Sequence, residues 1–247
     1  MQTDPTYLTD PYKKSMTARV LEIQPESAKR LRILLDNTVF YPMGGGQPTD
    51  QGTLGWKDET QAKVYQVMMK EGEIWHYLEP LKAEMPLLEV GQEVEGAIDW
   101  ERRYLNMRMH TGGHLVDFAL FEMGLVPKIL KPLKGEHGKK AYVLYEGTVA
   151  EQPDFSQDKL NQTVNQLIQE ERGLSWEFAP LEKLEQDAIY LQPGLPTHKP
   201  LRKLTLEGVG SVADGGTLVQ NTREVNNVTV TQIEDREGQV KISYQLT

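Results

Sequence analysis

The feature that most constrains this chain is a change of pattern at Asp99. Before it, short apolar runs with partial alternation are broken every few residues by turn-forming sequence. TARVLEI and RLRILLD are separated by the polar QPESAK, and AKVYQVMMKEGEIWHYLE reads as a hairpin turning at Glu71-Gly72. Several short strands with frequent turns suggest a small closed barrel, because closure removes exposed edges. From DWERRYLN onward no proline occurs until Pro127, and Met107, Leu115, Phe118, Ala119 and Phe121 favour a helix. Asp99 is placed to cap its start and Gly124 to end it. The expected architecture is α+β, with a β-barrel domain over residues 1–97 that holds the glycine-rich segment and an α+β domain over residues 98–247.

Within the second part, AYVLYEGTV, WEFAP and LRKLTLEGV read as strands, and VNNVTVTQIEDREGQVKISYQL as a hairpin turning near Gly238. SQDKLNQTVNQLIQEERG is the clearest helix, with Ser156 as N-cap, an apolar face of Leu160, Val164, Leu167 and Ile168, and Gly173 as its stop. A short acidic helix is expected from Leu181 to Ala188.

The chain has no cysteine, which excludes disulfides and thiolate metal ligands and fits a cytoplasmic location. Its start, MQTDPTYLTDPYKK, lacks the apolar core of a signal peptide, and no apolar run is long enough to span a bilayer. The net charge of −9 argues against non-specific nucleic-acid binding, which needs phosphates neutralised by Lys and Arg. A local basic segment exists in PKILKPLKGEHGKK, where Lys128, Lys131, Lys134, Lys139 and Lys140 face only Glu136; it reads as a loop. Lys199, Arg202 and Lys203 are candidates to extend it.

Three segments carry residues suited to chemistry. His110 and His114, four apart on a helix, share a face with Cβ atoms about 5–6 Å apart, so two imidazoles can reach one ion. The intervening Gly112-Gly113 costs the helix about 1 kcal/mol per glycine against alanine, so small residues are expected there to let something approach the backbone, and a helix–helix contact explains them equally well. GGGQPTD, residues 44–50, reads as a turn that carries the two-way hydrogen-bonding side chain of Gln47. ADGGTLVQNTREV, from Ala213 to Val225, reads as a tight loop with Asp214 and Thr217 beside its glycines.

Taken in order, these segments resemble one family. FYPMGGGQPTDQG resembles the FYPxGGGQPxDxG signature of AlaX proteins and of the alanyl-tRNA synthetase editing region. DWERRYLNMRMHTGGHL resembles the family's Asp-Trp-x-x-Arg stretch running into His-Thr-x-x-His, and ADGGTLVQNTREV its Cys-Gly-Gly-Thr-His-Val-x-Asn-Thr-x-Glu block. The resemblance spans roughly residues 30 to 247. It implies a small barrel followed by an editing domain of the alanyl/threonyl-tRNA synthetase type, and a trans-editing hydrolase that deacylates tRNA(Ala) mischarged with serine or glycine. The alternative is a catalytically altered relative that binds tRNA or a small ligand without hydrolysis.

By the same resemblance, Gln47, His110 and His114 are catalytic. Thr38, Gly45, Gly46 and Thr217 contact substrate, the five lysines contact tRNA, and zinc is the metal. The family holds zinc through two histidines, a cysteine and a further histidine. Here the last two positions are Asp214 and Leu218, and leucine cannot ligate. His110, His114 and Asp214 are therefore the expected ligands. A replacement from His137 or His198, and a metal-free site, are the other outcomes the sequence allows.

Overall fold

The computed structural model describes residues 3–57, 60–82, 84–192, 194–197 and 199–247. Its contacts divide the chain into one unit ending at Leu105 and a second from Asn106 to Thr247. The fold is mixed α+β, with a six-stranded barrel and three α-helices among the described residues.

The first unit contains β1 (Asp4–Pro5), β2 (Ser15–Ser27), β3 (Arg30–Leu35), β4 (Asn37–Thr38), β5 (Gly52–Trp56), β6 (Thr60–Lys70), β7 (Glu73–Pro80) and β8 (Glu93–Ile98). The barrel closes in the order β2-β3-β7-β6-β5-β8, while β1 pairs parallel with β4 outside it. Alternation in β2 turns Met16, Ala18 and Val20 inward, and in β8 it turns Val94 and Ile98 inward, so each strand lines the core on one face. Closure needs the glycine that ends the glycine-rich segment. A Cβ on Gly52 would lie 2.1 Å from the Ala97 carbonyl oxygen of the neighbouring β8. The β6–β7 hairpin turns at Glu71-Gly72, both at positive φ, as a two-residue turn requires.

Helix α1 (Trp100–Glu122) starts where Asp99 caps it, Oδ1 accepting from the Arg102 amide at 3.1 Å. It stops before Gly124, which sits at φ +75°. From His110 to Leu120 every residue is buried, so this stretch is wrapped on all sides rather than laid on a surface.

In the second unit, β9 (Lys131–Glu136), β10 (Tyr142–Glu146), β14 (Val228–Arg236) and β15 (Gln239–Leu246) form an antiparallel sheet ordered β14-β15-β10-β9. Helix α2 (Gln157–Gln169) buries Leu160, Val164, Leu167 and Ile168, and the Ser156 side chain accepts from the Lys159 amide. Asn161 and Asn165 of α2 bond the backbone of Val230 and Val228, tying the helix to β14. The chain continues through β11 (Leu174–Ala179), α3 (Leu181–Asp187), β12 (Leu201–Leu206) and β13 (Gly210–Ala213), with strand order β11-β12-β13.

Two sequence expectations need correction. The segment carrying Lys131 and Lys134 is not a loop: it is edge strand β9, paired to β10 on one side. Helix α2 does not run on to Gly173. It ends at Gln169, Glu171 makes the turn at φ +53°, and Gly173 bridges Asn221.

Candidate metal centre

His110 and His114 sit on the buried stretch of α1, and the loop after β13 brings Asp214 to them. Asp214 Oδ1 lies 3.3 Å from His110 Nε2 and 3.4 Å from His114 Nε2. Ligand atoms of the three residues all fall within 4.8 Å of one another. Donors held at about 2.1 Å around a tetrahedral ion stand roughly 3.4 Å apart, so the N···O spacings suit one small divalent cation. His114 supplies the second test of fit. It is 6% exposed, and neither ring nitrogen makes a hydrogen bond, although both face carboxylates. Buried polar atoms ordinarily have partners, and an orphaned Nε2 beside the Asp214 carboxylate and the His110 imidazole matches a cation site.

The loop is positioned from two sides. Thr111, inside the His-Thr-x-x-His stretch, donates to the Met107 carbonyl at 2.8 Å and accepts from the Val219 amide at 3.2 Å. That hydroxyl ties one motif to the other. Asp214 Oδ2 accepts from the Gly216 amide at 2.9 Å and lies 3.5 Å from Arg202 Nη1, which leaves Oδ1 for the histidines. Arg202 also donates to the Gly216 carbonyl at 2.9 Å and stacks over Trp176. Arg202 is thus a buried part of the site's support and not part of a basic surface. Lys203 is likewise buried and paired with Asp187 and Glu177.

Burial drives both imidazoles toward the neutral form. For His114 the Asp117 and Asp214 carboxylates outweigh it, raising the pKa to about 10. His110, opposed by the same burial and helped mainly by Asp214, falls below its usual value. Burial pushes the Asp214 carboxyl up, but the neighbouring imidazoles reverse this and hold it well below the carboxylate range.

His137 stacks on His110 with ring centroids 4.3 Å apart. The Tyr244 hydroxyl donates to the Met109 carbonyl at 2.9 Å, so its oxygen accepts from His137 Nδ1 at 2.6 Å. His137 stands outside the His110–His114–Asp214 ligand group. Its ring explains Gly113, where a Cβ would lie 2.5 Å from His137 Cε1. His198 is outside the described residues. Leu218, at the family's second histidine position, is fully buried. Thr217 is fully buried beside it.

In the first unit, Gly44 and Gln47 exchange backbone hydrogen bonds across Gly45 (φ +52°) and Gly46 (φ +76°), a two-residue turn that glycine adopts freely. Gln47 is 1% exposed. Thr38 is fully buried, with its hydroxyl 2.7 Å from His76 Nε2 and accepting from the Phe40 amide at 3.0 Å. Lys128, Lys131, Lys134, Lys139 and Lys140 are all exposed. Sequence reasoning missed Asp117, whose Oδ2 lies 3.4 Å from His114 Nδ1; its i+3 spacing from His114 was the signal available.

A helix carrying two histidines, faced by a carboxylate from a glycine loop, occurs here in a chain similar to proteins of aminoacyl-tRNA synthesis and editing. Residues 10–102 match the family model described as tRNA synthetases class II (A). The alanyl-tRNA editing protein AlaX-M of Saccharolobus solfataricus is 31% identical over 247 residues, covering 98% of each chain. AlaX-M of Pyrococcus horikoshii is 45% identical over 118 residues, 47% of this chain and 48% of that protein. The alanine–tRNA ligase of Pyrococcus abyssi is 30% identical over 240 residues, and the chain spans only 24% of that protein's length. This chain belongs to the AlaX family.

Proposed function

We propose that this protein is a cytoplasmic trans-editing hydrolase that deacylates tRNA(Ala) mischarged with serine, and also with glycine. The barrel, residues 1–97, and the editing domain, residues 98–247, are its two parts in this reading. The observation that carries it is the buried His110–His114–Asp214 group in a chain alike along its whole length to an alanyl-tRNA editing protein. Zinc suits the donor set, since it accepts two imidazoles and a carboxylate. When bound, such an ion supplies Lewis-acid activation of water or of the ester carbonyl.

The reaction adds water to the ester carbonyl carbon, breaks the bond to the ribose oxygen, and returns a proton to that oxygen. His110, His114 and Asp214 hold the activating charge, with Arg202 and Gly216 fixing which Asp214 oxygen faces it. Gln47, with an amide that both donates and accepts, orients water or ester. Thr38, Gly45, Gly46 and Thr217 contact the aminoacyl end. A pocket built to hydrogen-bond a hydroxyl rejects alanine because its own polar group would be left unpaired. The exposed Lys128, Lys131, Lys134, Lys139 and Lys140 meet tRNA phosphates.

Release of amino acid from seryl-, glycyl- and alanyl-tRNA(Ala) tests this. Seryl ester is expected to be cleaved fastest and alanyl ester spared, and Asp214→Ala is expected to lose both bound metal and turnover. No release above buffer with any added divalent metal would overturn the catalytic reading. A second reading, a relative that binds tRNA without hydrolysis, is favoured by one observation: the position of a family ligand is the buried Leu218. Retained tRNA affinity with no deacylation would support it.

A further inference from the structure

Asp117 lies one turn after His114 on α1, and it belongs to none of the three motif segments. Its side chain is 8% exposed, and both oxygens are engaged. Tyr145, from β10, donates to Oδ1 at 2.6 Å; Tyr190, from the segment after α3, donates to Oδ2 at 3.1 Å. Burial and the Asp117 charge hold both phenols well above their ordinary pKa, so they remain donors. Among the described residues, the ion pair of Asp117 is with His114 alone.

This arrangement selects one face of the His114 ring. Both Asp117 oxygens already receive a hydroxyl, so the side chain meets His114 as an acceptor, and Nδ1, 3.4 Å from Oδ2, is the ring nitrogen placed to carry the N–H. A cation that replaces the Nε2 proton then finds that lone pair on the side that faces Asp214 and His110. Metal-ligating histidines are ordinarily oriented in this way, by a carboxylate or carbonyl on the nitrogen away from the ion. The charge count points the same way. A divalent cation is costly to bury without compensating charge, and Arg202 at 3.5 Å already draws on the Asp214 carboxylate. Asp117 adds the second negative charge.

We propose that Asp117, braced by Tyr145 and Tyr190, is a positioning residue that fixes His114 as an Nε2 ligand of a divalent cation at the His110–His114–Asp214 site. The inference rests on the metal reading above. It adds a residue that this chain uses where it lacks the cysteine and second histidine of its family.

The test uses the full chain, stripped with chelator and titrated with Zn²⁺ against a chromophoric competitor, with Co²⁺ absorption as a second readout. Asp117→Asn is expected to weaken Zn²⁺ binding about 10–100-fold and to alter the Co²⁺ spectrum. Tyr190→Phe, which removes one brace and leaves the carboxylate, is expected to weaken it less and in the same direction. His114→Ala is expected to abolish binding. Zn²⁺ affinity and Co²⁺ spectrum unchanged in Asp117→Asn, with binding lost in His114→Ala, would overturn the role of Asp117 and leave the metal reading standing. A parent chain that takes up neither ion would overturn both. Where Asp117→Asn does not fold, Tyr190→Phe decides: affinity equal to the parent's overturns the proposal.

Discussion

Each unit buries an ionic group drawn from the motif segments, and the two groups are built in opposite ways. In the first, Arg103 and Asp50 are both fully buried and paired. Arg103 Nε donates to Asp50 Oδ2 at 2.9 Å, Nη1 donates to the Pro11 carbonyl at 2.9 Å, and Nη2 reaches the Val39 carbonyl. Asp50 also accepts from the Tyr41 amide at 2.7 Å. Every strong donor and acceptor is used, so the pair is a latch within the fold. In the second, His110 and His114 are buried and Asp214 nearly so, yet His114 keeps two ring nitrogens without a hydrogen bond. A buried charge with all its bonds made holds structure; one whose unbonded Nε2 faces a carboxylate and a second imidazole is prepared for a ligand.

The sharpest way to break this comparison is to remove one carboxylate from each group. Asp50→Ala strands a buried guanidinium and is expected to cost about 3–5 kcal/mol in chemical denaturation. Asp214→Ala is expected to cost less stability in metal-free protein while abolishing metal uptake. Equal stability losses with metal retained would erase the distinction.

The barrel has its own incompletely bonded group, and it sharpens the contrast. His76 is fully buried with Nδ1 unbonded, and burial lowers its pKa to about 4. The unfolded chain, with an ordinary histidine pKa near 6.5, binds more protons between these values. Stability is therefore complete above about pH 6.5 and falls by about 3 kcal/mol as pH drops toward 4. In denaturant titrations against pH, His76→Gln is expected to flatten that slope; an unchanged slope would remove His76 as its source.

Adjacent glycines of α1 give a smaller contrast. Gly113→Ala drives a Cβ into the His137 ring and is expected to cost about 1–3 kcal/mol. Gly112→Ala meets side chains of Leu246 and Val228 only at 3.4 Å, so helix propensity, up to about 1 kcal/mol, offsets its strain. Thermal unfolding of the two variants side by side checks the order. Least of all, Ser156→Ala removes the α2 cap, costs about 1 kcal/mol, and is expected to leave metal affinity untouched.

Periodicity and turn chemistry alone determined the barrel hairpin at Glu71-Gly72, the α1 caps at Asp99 and Gly124, and the apolar face of α2. These are local effects, written in residues a few positions apart. Motif spacing also marked His110, His114 and Asp214 as one group, because two ordered segments matched a family whose site they form. Local sequence could not reveal that the lysine segment gains a strand partner in β10, since pairing is decided by a neighbour distant in the chain. Nor could it show that Arg202 and Lys203 are buried among carboxylates, carbonyls and an indole rather than solvated. Asp117 is the clearest case. In sequence it is an acidic residue on a helix; only the tertiary fold brings Tyr145 and Tyr190 onto its two oxygens and turns it toward His114.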